Sequence, residues 1–160
     1  MDLLARAQKT VCIMTPYLIL DSEMENALKY AAARGVSVKL ILPGIPDKKT
    51  VYAVTRSYYT GLVRNSVRIY EYTPGFCHAK QCICDGKIAT VGTSNLDYRS
   101  LYHHFENDVL LTGCDALEDI AADFEETFRQ CREVMAAEDC SRGKVLRAWQ
   151  SILRLFAPLM

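Results

Sequence analysis

Two basic side chains, His78 and Lys80, carry the clearest chemical signal in this sequence of 160 residues. They lie two positions apart in the run from Phe76 to Cys84, which predicts a buried strand, and alternate side chains of a strand leave the same face. A core strand has no packing reason to hold a histidine beside a lysine. Neutral imidazole is a nucleophile at phosphorus near pH 7, and an ammonium group stabilises the charge that develops on the transferring oxygens. The pair therefore indicates phosphodiester chemistry, for which neither a metal nor another cofactor is expected.

A predicted hairpin brings small polar residues to the same end of the sheet. Asp85-Gly86 is a two-residue turn signal, and residues 87–91 form the returning strand. We therefore expect the residues after this strand, Gly92, Thr93 and Asn95, to face His78. Lys80, Thr93 and Asn95 are the predicted ligands of a substrate phosphate.

A carboxylate is needed to fix the tautomer of the imidazole, since an activated histidine is usually oriented by a third group. Glu106 begins a predicted strand that runs to Leu111 and has the required side chain. The predicted catalytic residues are therefore His78, Lys80, Asn95 and Glu106. Four further residues are expected to be structural: Asp85, whose hairpin position suits turn geometry, Gly92, and Asp97 with Arg99, which could pair with each other and brace the loop.

These residues carry a resemblance to a known family. The pattern His78-x-Lys80-x4-Asp85-x6-Gly92-Thr93-x-Asn95 resembles the signature of the phospholipase D superfamily. The surrounding motifs resemble the C-terminal catalytic half of bacterial cardiolipin synthases, and the likeness runs from about Leu3 to the closing segment, Ser151 to Leu159. Those motifs are Thr15-Pro16-Tyr17, Leu42-Pro43-Gly44-x-Pro46-Asp47, Tyr70-Glu71-Tyr72-x-Pro74-Gly75-Phe76 and Asn95-Leu96-Asp97-Tyr98-Arg99-Ser100.

The resemblance implies a two-step phosphatidyl transfer without a metal. A histidine attacks phosphatidylglycerol, forms a phosphohistidine and releases glycerol, and a hydroxyl of a second phosphatidylglycerol then displaces the enzyme. The family places two such motifs, one from each half, across a shared site. This sequence contains one, because His103 and His104 lack the x-Lys pattern. The chain is therefore expected to pair with another half or with a second copy, and the sequence leaves open whether His78 is the nucleophile or the general acid and base.

Two other functions remain open at this stage. One is a homodimeric single-motif phosphodiesterase, a nuclease or a phospholipase D, with water as the acceptor. The other is an isolated half without activity. The net charge is zero, and from Ser141 onward the sequence has four cations and no acidic residue, so the remainder is acidic. A nucleic-acid binder usually carries a basic face, and this charge distribution argues against one.

Strands alternate with helices along the chain, which predicts an α/β fold. We expect a mixed, largely parallel β-sheet flanked by helices on both faces, as in a phospholipase D-like half domain, and a C-terminal amphipathic helix. The expected division is a catalytic domain at 1–140 and the helix at 141–160. Predicted helices cover 2–9, 22–34 with a capping box at Ser22 and Glu25, 47–65 and 115–134, and predicted strands cover 11–14, 36–42, 67–72, 76–84, 87–91 and 106–111.

The closing segment and the cysteines bear on location. Apolar residues of 142–157 fall on one helical stripe flanked by arginines, which is typical of a helix at an anionic membrane surface. Packing on the same domain or on the partner half is the alternative, and the segment is too short and too charged to span a bilayer. Seven scattered cysteines suggest a reducing compartment. We expect a soluble chain that binds peripherally to the cytoplasmic side of the cell membrane.

Overall fold

The computed structural model describes residues 1–135, 153–155 and 157. Its strands are β1 Thr10–Met14, β2 Ser37–Pro43, β3 Arg68–Tyr72, β4 Gln81–Cys84, β5 Ile88–Gly92, β6 Asp108–Thr112 and β7 Cys131–Glu133. Its helices are α1 Asp2–Arg6, α2 Ser22–Ala33, α3 Lys49–Ser57, α4 Tyr59–Val63 and α5 Ala116–Arg129, with a π-helical turn at Arg99–His103.

The strands form one seven-stranded mixed sheet in the order β6-β5-β4-β1-β2-β3-β7. Strands β1, β2 and β3 are parallel, and every other pairing is antiparallel. The predicted mixed sheet is confirmed, but its parallel part is limited to these three strands. The reason is that β4 and β5 are joined by only three residues, 85–87, and such a short connection allows only antiparallel pairing.

Helices cover both faces of the sheet, as predicted. On one face α1 to α4 pack against β1, β2 and β3 around fully buried side chains that include Leu28, Leu40 and Tyr59. On the other face α5 buries Phe124 against a second cluster that includes Ile41 and Ile83. Successive side chains of β2 point to opposite faces, so Leu40 and Leu42 belong to the first cluster and Ile41 to the second.

The strand predicted at 76–84 is shorter in the structure, where β4 begins at Gln81. Its neighbour β1 ends at Met14, which pairs with Gln81, and Pro16 cannot donate a ladder hydrogen bond beyond that point. His78 and Lys80 therefore lie in an irregular segment before the strand. The hairpin itself is as predicted, since Asp85 and Gly86 both have positive φ, 52° and 66°, the combination that a type I′ turn requires.

The helix predicted at 115–134 ends at Arg129, and its last residues form β7, which sequence periodicity missed. Strand β7 pairs with the open side of β3, and ion pairs fix this pairing: Arg132 contacts Glu71 and Arg68 contacts Glu133. The helix predicted at 47–65 is divided at Tyr58 into α3 and α4. The cap of α2 is Asp21 rather than Ser22, because the Asp21 carboxylate accepts the backbone N–H of Met24 at 2.7 Å.

Most of the predicted C-terminal helix, and the proposed boundary at 140, lie outside the described residues. Arg154 is described, and it contacts its own domain: its guanidinium binds the Glu25 carboxylate at 2.8 Å and lies 4.0 Å from the centre of the Tyr58 ring. Within the part of the chain that the structure describes, no helix is both long and apolar enough to cross a membrane.

Candidate functional site

The candidate site begins with His78 and Lys80, which the irregular segment before β4 holds in contact. The Lys80 Nζ atom lies 2.9 Å from Nδ1 and 3.2 Å from Nε2 of the imidazole, and it donates to the His78 carbonyl oxygen at 2.7 Å. The His78 side chain is exposed, and Lys80 is half-buried. The predicted proximity of the two side chains is therefore present, although no strand pleat creates it.

An open cleft of about 600 Å³ lies in front of these residues. The opposite wall comes from the end of β5, where Gly92 donates its backbone N–H to the Lys80 carbonyl at 3.1 Å. The chain thus brings Thr93 and Asn95 to the same cleft as His78, as the predicted hairpin requires. The full lining is His78, Ala79, Lys80, Gln81, Val91, Gly92, Thr93 and Asn95.

Asp108 organises this wall, and the sequence reasoning did not select it. Its carboxylate accepts the backbone N–H of Thr93 at 2.9 Å and that of Ser94 at 3.2 Å, and it also accepts the Ser94 hydroxyl. Asp108 pairs with Gly92 across β5 and β6, and a Cβ atom at Gly92 would lie only 2.0 Å from the Asp108 Oδ1 atom. The sequence did contain a signal for it, since Asp108 lies two residues after Glu106 in the strand predicted at 106–111.

Glu106 is placed differently from the prediction. It accepts the Thr93 hydroxyl at 2.5 Å, and it lies 3.8 Å from Nδ1 of His104. Among the described residues, no carboxylate lies within 4.0 Å of the His78 ring nitrogens. The expected hydrogen bond from Glu106 to the imidazole is therefore absent here, because the Thr93 hydroxyl donates to that carboxylate instead. The hydroxyls of Thr93 and Ser100, and then the charge of His104, hold the pKa of Glu106 below its usual value.

The only proton of the Thr93 hydroxyl is already used in a hydrogen bond. It donates to Glu106 and accepts the backbone N–H of Asn107 at 2.9 Å. Contact with a substrate phosphate would need either the Thr93 backbone or a rearrangement of this hydroxyl. Its direct role in this structure is to hold the cleft wall against β6.

Lys80 has an environment suited to both binding and proton exchange. Burial lowers the pKa of Lys80, and the negative charges of Glu106 and Asp97 act in the opposite direction. Its ammonium lies against the imidazole ring, 2.9 Å from one ring nitrogen and 3.2 Å from the other. This contact places a positive charge directly beside the imidazole.

Asn95 lies between two firmly anchored segments. The preceding backbone is held by Asp108, and Leu96 donates its N–H to the Thr15 hydroxyl at 3.2 Å and accepts the N–H of Ile19 at 2.8 Å. The Asn95 Oδ1 atom is buried and has no hydrogen-bond partner among the described residues. Buried polar atoms are normally paired, so this oxygen is available to a ligand.

Asp85 and Asp97, two of the residues that were expected to be structural, hold backbone N–H groups in place. Asp85, at the far end of β4, accepts the backbone N–H groups of Gln8, Lys9 and Thr10 at 2.8–2.9 Å. Although desolvation raises its pKa, these bonds and the Lys87 charge lower it more. Asp97 is buried and accepts the backbone N–H of Ser100 at 2.8 Å, which fixes the π-helical turn.

Two aromatic rings flank the imidazole. Phe76 lies 5.5 Å from His78 between ring centres, and Tyr17 meets it edge-on at 6.4 Å. Tyr17 is held in turn by Asp47, which accepts its hydroxyl at 2.5 Å. Burial and this hydrogen bond raise the pKa of Tyr17 to about 12. In the absence of a carboxylate contact, these rings and Lys80 limit the orientation of His78.

The family of the chain follows from comparison with known proteins. Residues 1–131 match the family described as "Cardiolipin synthase, PLD-like domain". The chain belongs to this family. It is 52% identical over 99% of its length to an uncharacterized protein of Streptococcus mutans, and 37% identical over 99% to cardiolipin synthase 2 of Bacillus anthracis. It spans 34% and 31% of those two proteins, about a third of their length.

The fold also has a solved counterpart in the phospholipase D family. Nuc from Salmonella typhimurium superposes with a TM-score of 0.71 at 17% identity, over 83% of this chain and 86% of that one. This likeness supports the fold. Together with the family match, it identifies the chain as a cardiolipin synthase-like half of the phospholipase D superfamily, as the sequence predicts.

Proposed function

We propose that this chain supplies one of the two motifs of a phosphatidyltransferase that makes cardiolipin and glycerol from two molecules of phosphatidylglycerol. The observation that carries the proposal is the convergence of His78, Lys80, Thr93 and Asn95 on one cleft, in a member of the cardiolipin synthase family. The family match supports phosphatidyl transfer in general, and the choice of donor and acceptor is part of the proposal.

The proposed reaction has two steps. An imidazole nitrogen attacks the phosphorus of the first phosphatidylglycerol, so an N–P bond forms while the bond from phosphorus to the glycerol oxygen breaks. A second group gives that oxygen a proton. A hydroxyl of another phosphatidylglycerol then attacks phosphorus, the N–P bond breaks, and the second group takes the hydroxyl proton. His78 takes one of these two roles, and the histidine of a second motif takes the other.

Lys80 links substrate binding to the release of His78. In the free site its ammonium lies against the imidazole ring, 2.9 Å and 3.2 Å from the two ring nitrogens. A phosphodiester anion is a stronger partner for an ammonium than a neutral imidazole is. Binding of substrate therefore draws Lys80 to the phosphate oxygens and frees His78, while the Asn95 amide binds the same head group.

The surface beside the cleft fits a second unit. Strand β6 is the outermost strand on its side of the described sheet. Six of the twelve large apolar side chains that are exposed in the described residues lie on β5, on β6 or in the segment between these two strands. We call this group the β6 edge surface; it comprises Val91, Leu101, Tyr102, Phe105, Val109 and Leu110.

The occupant that we propose for the β6 edge surface is a second phospholipase D-like unit, from a longer chain or from a second copy. Val91 also lines the cleft, so a unit docked here would bring its own motif close to His78. Exposed apolar patches of this kind commonly mark protein contacts. Because the proposed substrate is a membrane lipid, we also propose that the protein works at the cytoplasmic side of the membrane as a peripheral protein.

Product analysis tests the proposed function. The chain is incubated with phosphatidylglycerol in mixed micelles and EDTA, on a sample in which light scattering shows paired units. Cardiolipin and glycerol are the expected products. Phosphatidic acid in place of cardiolipin would mean that water is the acceptor and that the protein is a phosphodiesterase. Activity that EDTA removes and a divalent metal restores would contradict the metal-free mechanism.

A further inference from the structure

A second cavity lies directly beneath the cleft, on the face of the sheet that α1 and α2 cover. It has a volume of about 330 Å³. Ligand sites in proteins have volumes of about 300–1,000 Å³, and a dry cavity of about 150 Å³ already accepts benzene. Its walls are mainly apolar and come from five parts of the chain: Leu4, Ile13, Met24, Cys82, Leu96 and Leu101.

This cavity adjoins the candidate site and shares part of its wall. Lys80, Gln81 and Asn95 line both the cleft and the cavity. The unpartnered Asn95 Oδ1 atom is therefore at the boundary between a polar and an apolar space. A ligand that spans this boundary must carry a phosphate, a hydrogen-bond donor and an apolar group on a short connection.

We infer that this cavity binds the first methylenes of an acyl chain of a lipid phosphodiester whose phosphate lies at Lys80. This inference rests on the proposed function and deepens it, since it assigns a place to the apolar part of the substrate. The Asn95 Oδ1 atom accepts a hydroxyl of the lipid head group. A nucleotide fits less well, because its sugar and base would lose hydrogen bonds to water in an apolar cavity.

The predicted signature is a dependence of affinity on chain length. Burial of one methylene contributes about a fourfold gain in affinity. Dibutanoyl, dihexanoyl and dioctanoyl phosphatidylglycerol differ by two methylenes per chain. With one chain in the cavity, each step of this series is expected to tighten binding about 15-fold until the cavity is full.

Methionine NMR reports binding at the required place. Met24 lines the cavity and is 8% exposed, whereas Met135 is 58% exposed and does not line it. The chain is labelled at its methionine methyl groups and titrated with each lipid below its micelle concentration. The lipid concentration that half-shifts the Met24 signal is expected to fall about 15-fold at each step of the series, and the Met135 signal is expected to stay unchanged.

Variants separate the cavity from the cleft. Leu101→Trp should fill the cavity mouth and remove the dependence on chain length, and Cys82→Phe is a second variant in case the first disturbs the fold. Tyr30→Trp, at an exposed apolar residue of α2 that does not line the cavity, is the matched control. Lys80→Ala should weaken every lipid by the same factor and preserve the 15-fold steps.

Three results would overturn the inference. The first is equal affinity for all three lipids with an unmoved Met24 signal, and the second is a chain-length dependence that both cavity variants retain. A Met24 signal that shifts only on self-association would mean that a second unit fills the cavity instead, which also overturns it. If the steps are present but no cardiolipin forms, the proposed reaction fails while the acyl site stands.

Discussion

Gly92 is a position where a change of one methyl group should cause a large loss of function. In Gly92→Ala the new Cβ atom would lie 2.0 Å from Oδ1 of Asp108 and 2.4 Å from the Asn107 carbonyl oxygen. Since such contacts are essentially never below 3.0 Å, the methyl group must move by about 1.0 Å from the carboxylate and about 0.6 Å from the carbonyl. The carbonyl belongs to the backbone, so a side-chain rotation cannot remove the overlap.

The displaced segment is the cleft wall that carries Thr93 and Asn95. A shift of about 1 Å in a catalytic group costs about 10²-fold in rate, and an overpacked contact costs about 1–3 kcal/mol of stability. We therefore expect kcat/KM for phosphatidylglycerol to fall about 100-fold, with a folded protein of lower melting temperature.

The matched control is Gly75→Ala, in the segment that leads to His78. A Cβ atom there meets nothing within 4 Å, and its φ is ordinary. Both variants are assayed as paired units for turnover and thermal unfolding. Turnover of Gly92→Ala within threefold of Gly75→Ala would refute the reasoning that Asp108 and Gly92 set the position of the cleft wall.

Two further predictions concern residues outside the cleft. Because the folded pKa of Asp85 is depressed, its contribution to stability is present above its unfolded pKa of about 3.9 and is lost as pH falls through the folded value. Asp85→Asn should therefore lower the free energy of unfolding, measured in urea, by about 1 kcal/mol at pH 7 and by less below pH 4, while turnover stays unchanged. An equal loss of stability at pH 7 and pH 3, or a tenfold loss of turnover, would contradict the structural role of Asp85. On the β6 edge surface, Leu110→Asp should shift the light-scattering mass toward the monomer, whereas Tyr30→Asp, at an exposed residue on α2, should not. Equal masses for the two variants would exclude this surface as the contact between paired units.

Local patterns predicted much of the fold and of the site. The Asp85-Gly86 turn and the antiparallel strands beside it depend on short-range spacing, which the sequence shows directly. His78 and Lys80 are in contact as predicted, but in an irregular segment rather than on the pleated strand from which the contact was predicted. The end of α5 could not be predicted in this way. Residues 131–133 leave the helix because β3 offers an open edge and Glu71 and Arg68 offer opposite charges, and these are partners about 60 positions away.

The partner of Glu106 shows the same limit within the site. The sequence shows that a carboxylate follows the motif, but its hydrogen bond depends on which donor the fold brings nearest. That donor is Thr93, held in place by Asp108 through register pairing of β5 with β6. The residue type therefore predicted Glu106 as a candidate, whereas its hydrogen-bond partner depends on the tertiary structure.

The most direct test of the central claim is the turnover of phosphatidylglycerol by His78→Ala, measured with EDTA present and with light scattering to show that the units remain paired. Loss of a proton-transfer group typically costs about 10²–10⁴-fold, so cardiolipin formation should fall below a hundredth of the wild-type rate. His103→Ala, at an exposed histidine that does not line the cleft, is the control and should retain turnover. Cardiolipin formation by a folded His78→Ala protein above a hundredth of the wild-type rate would remove His78 from the chemistry.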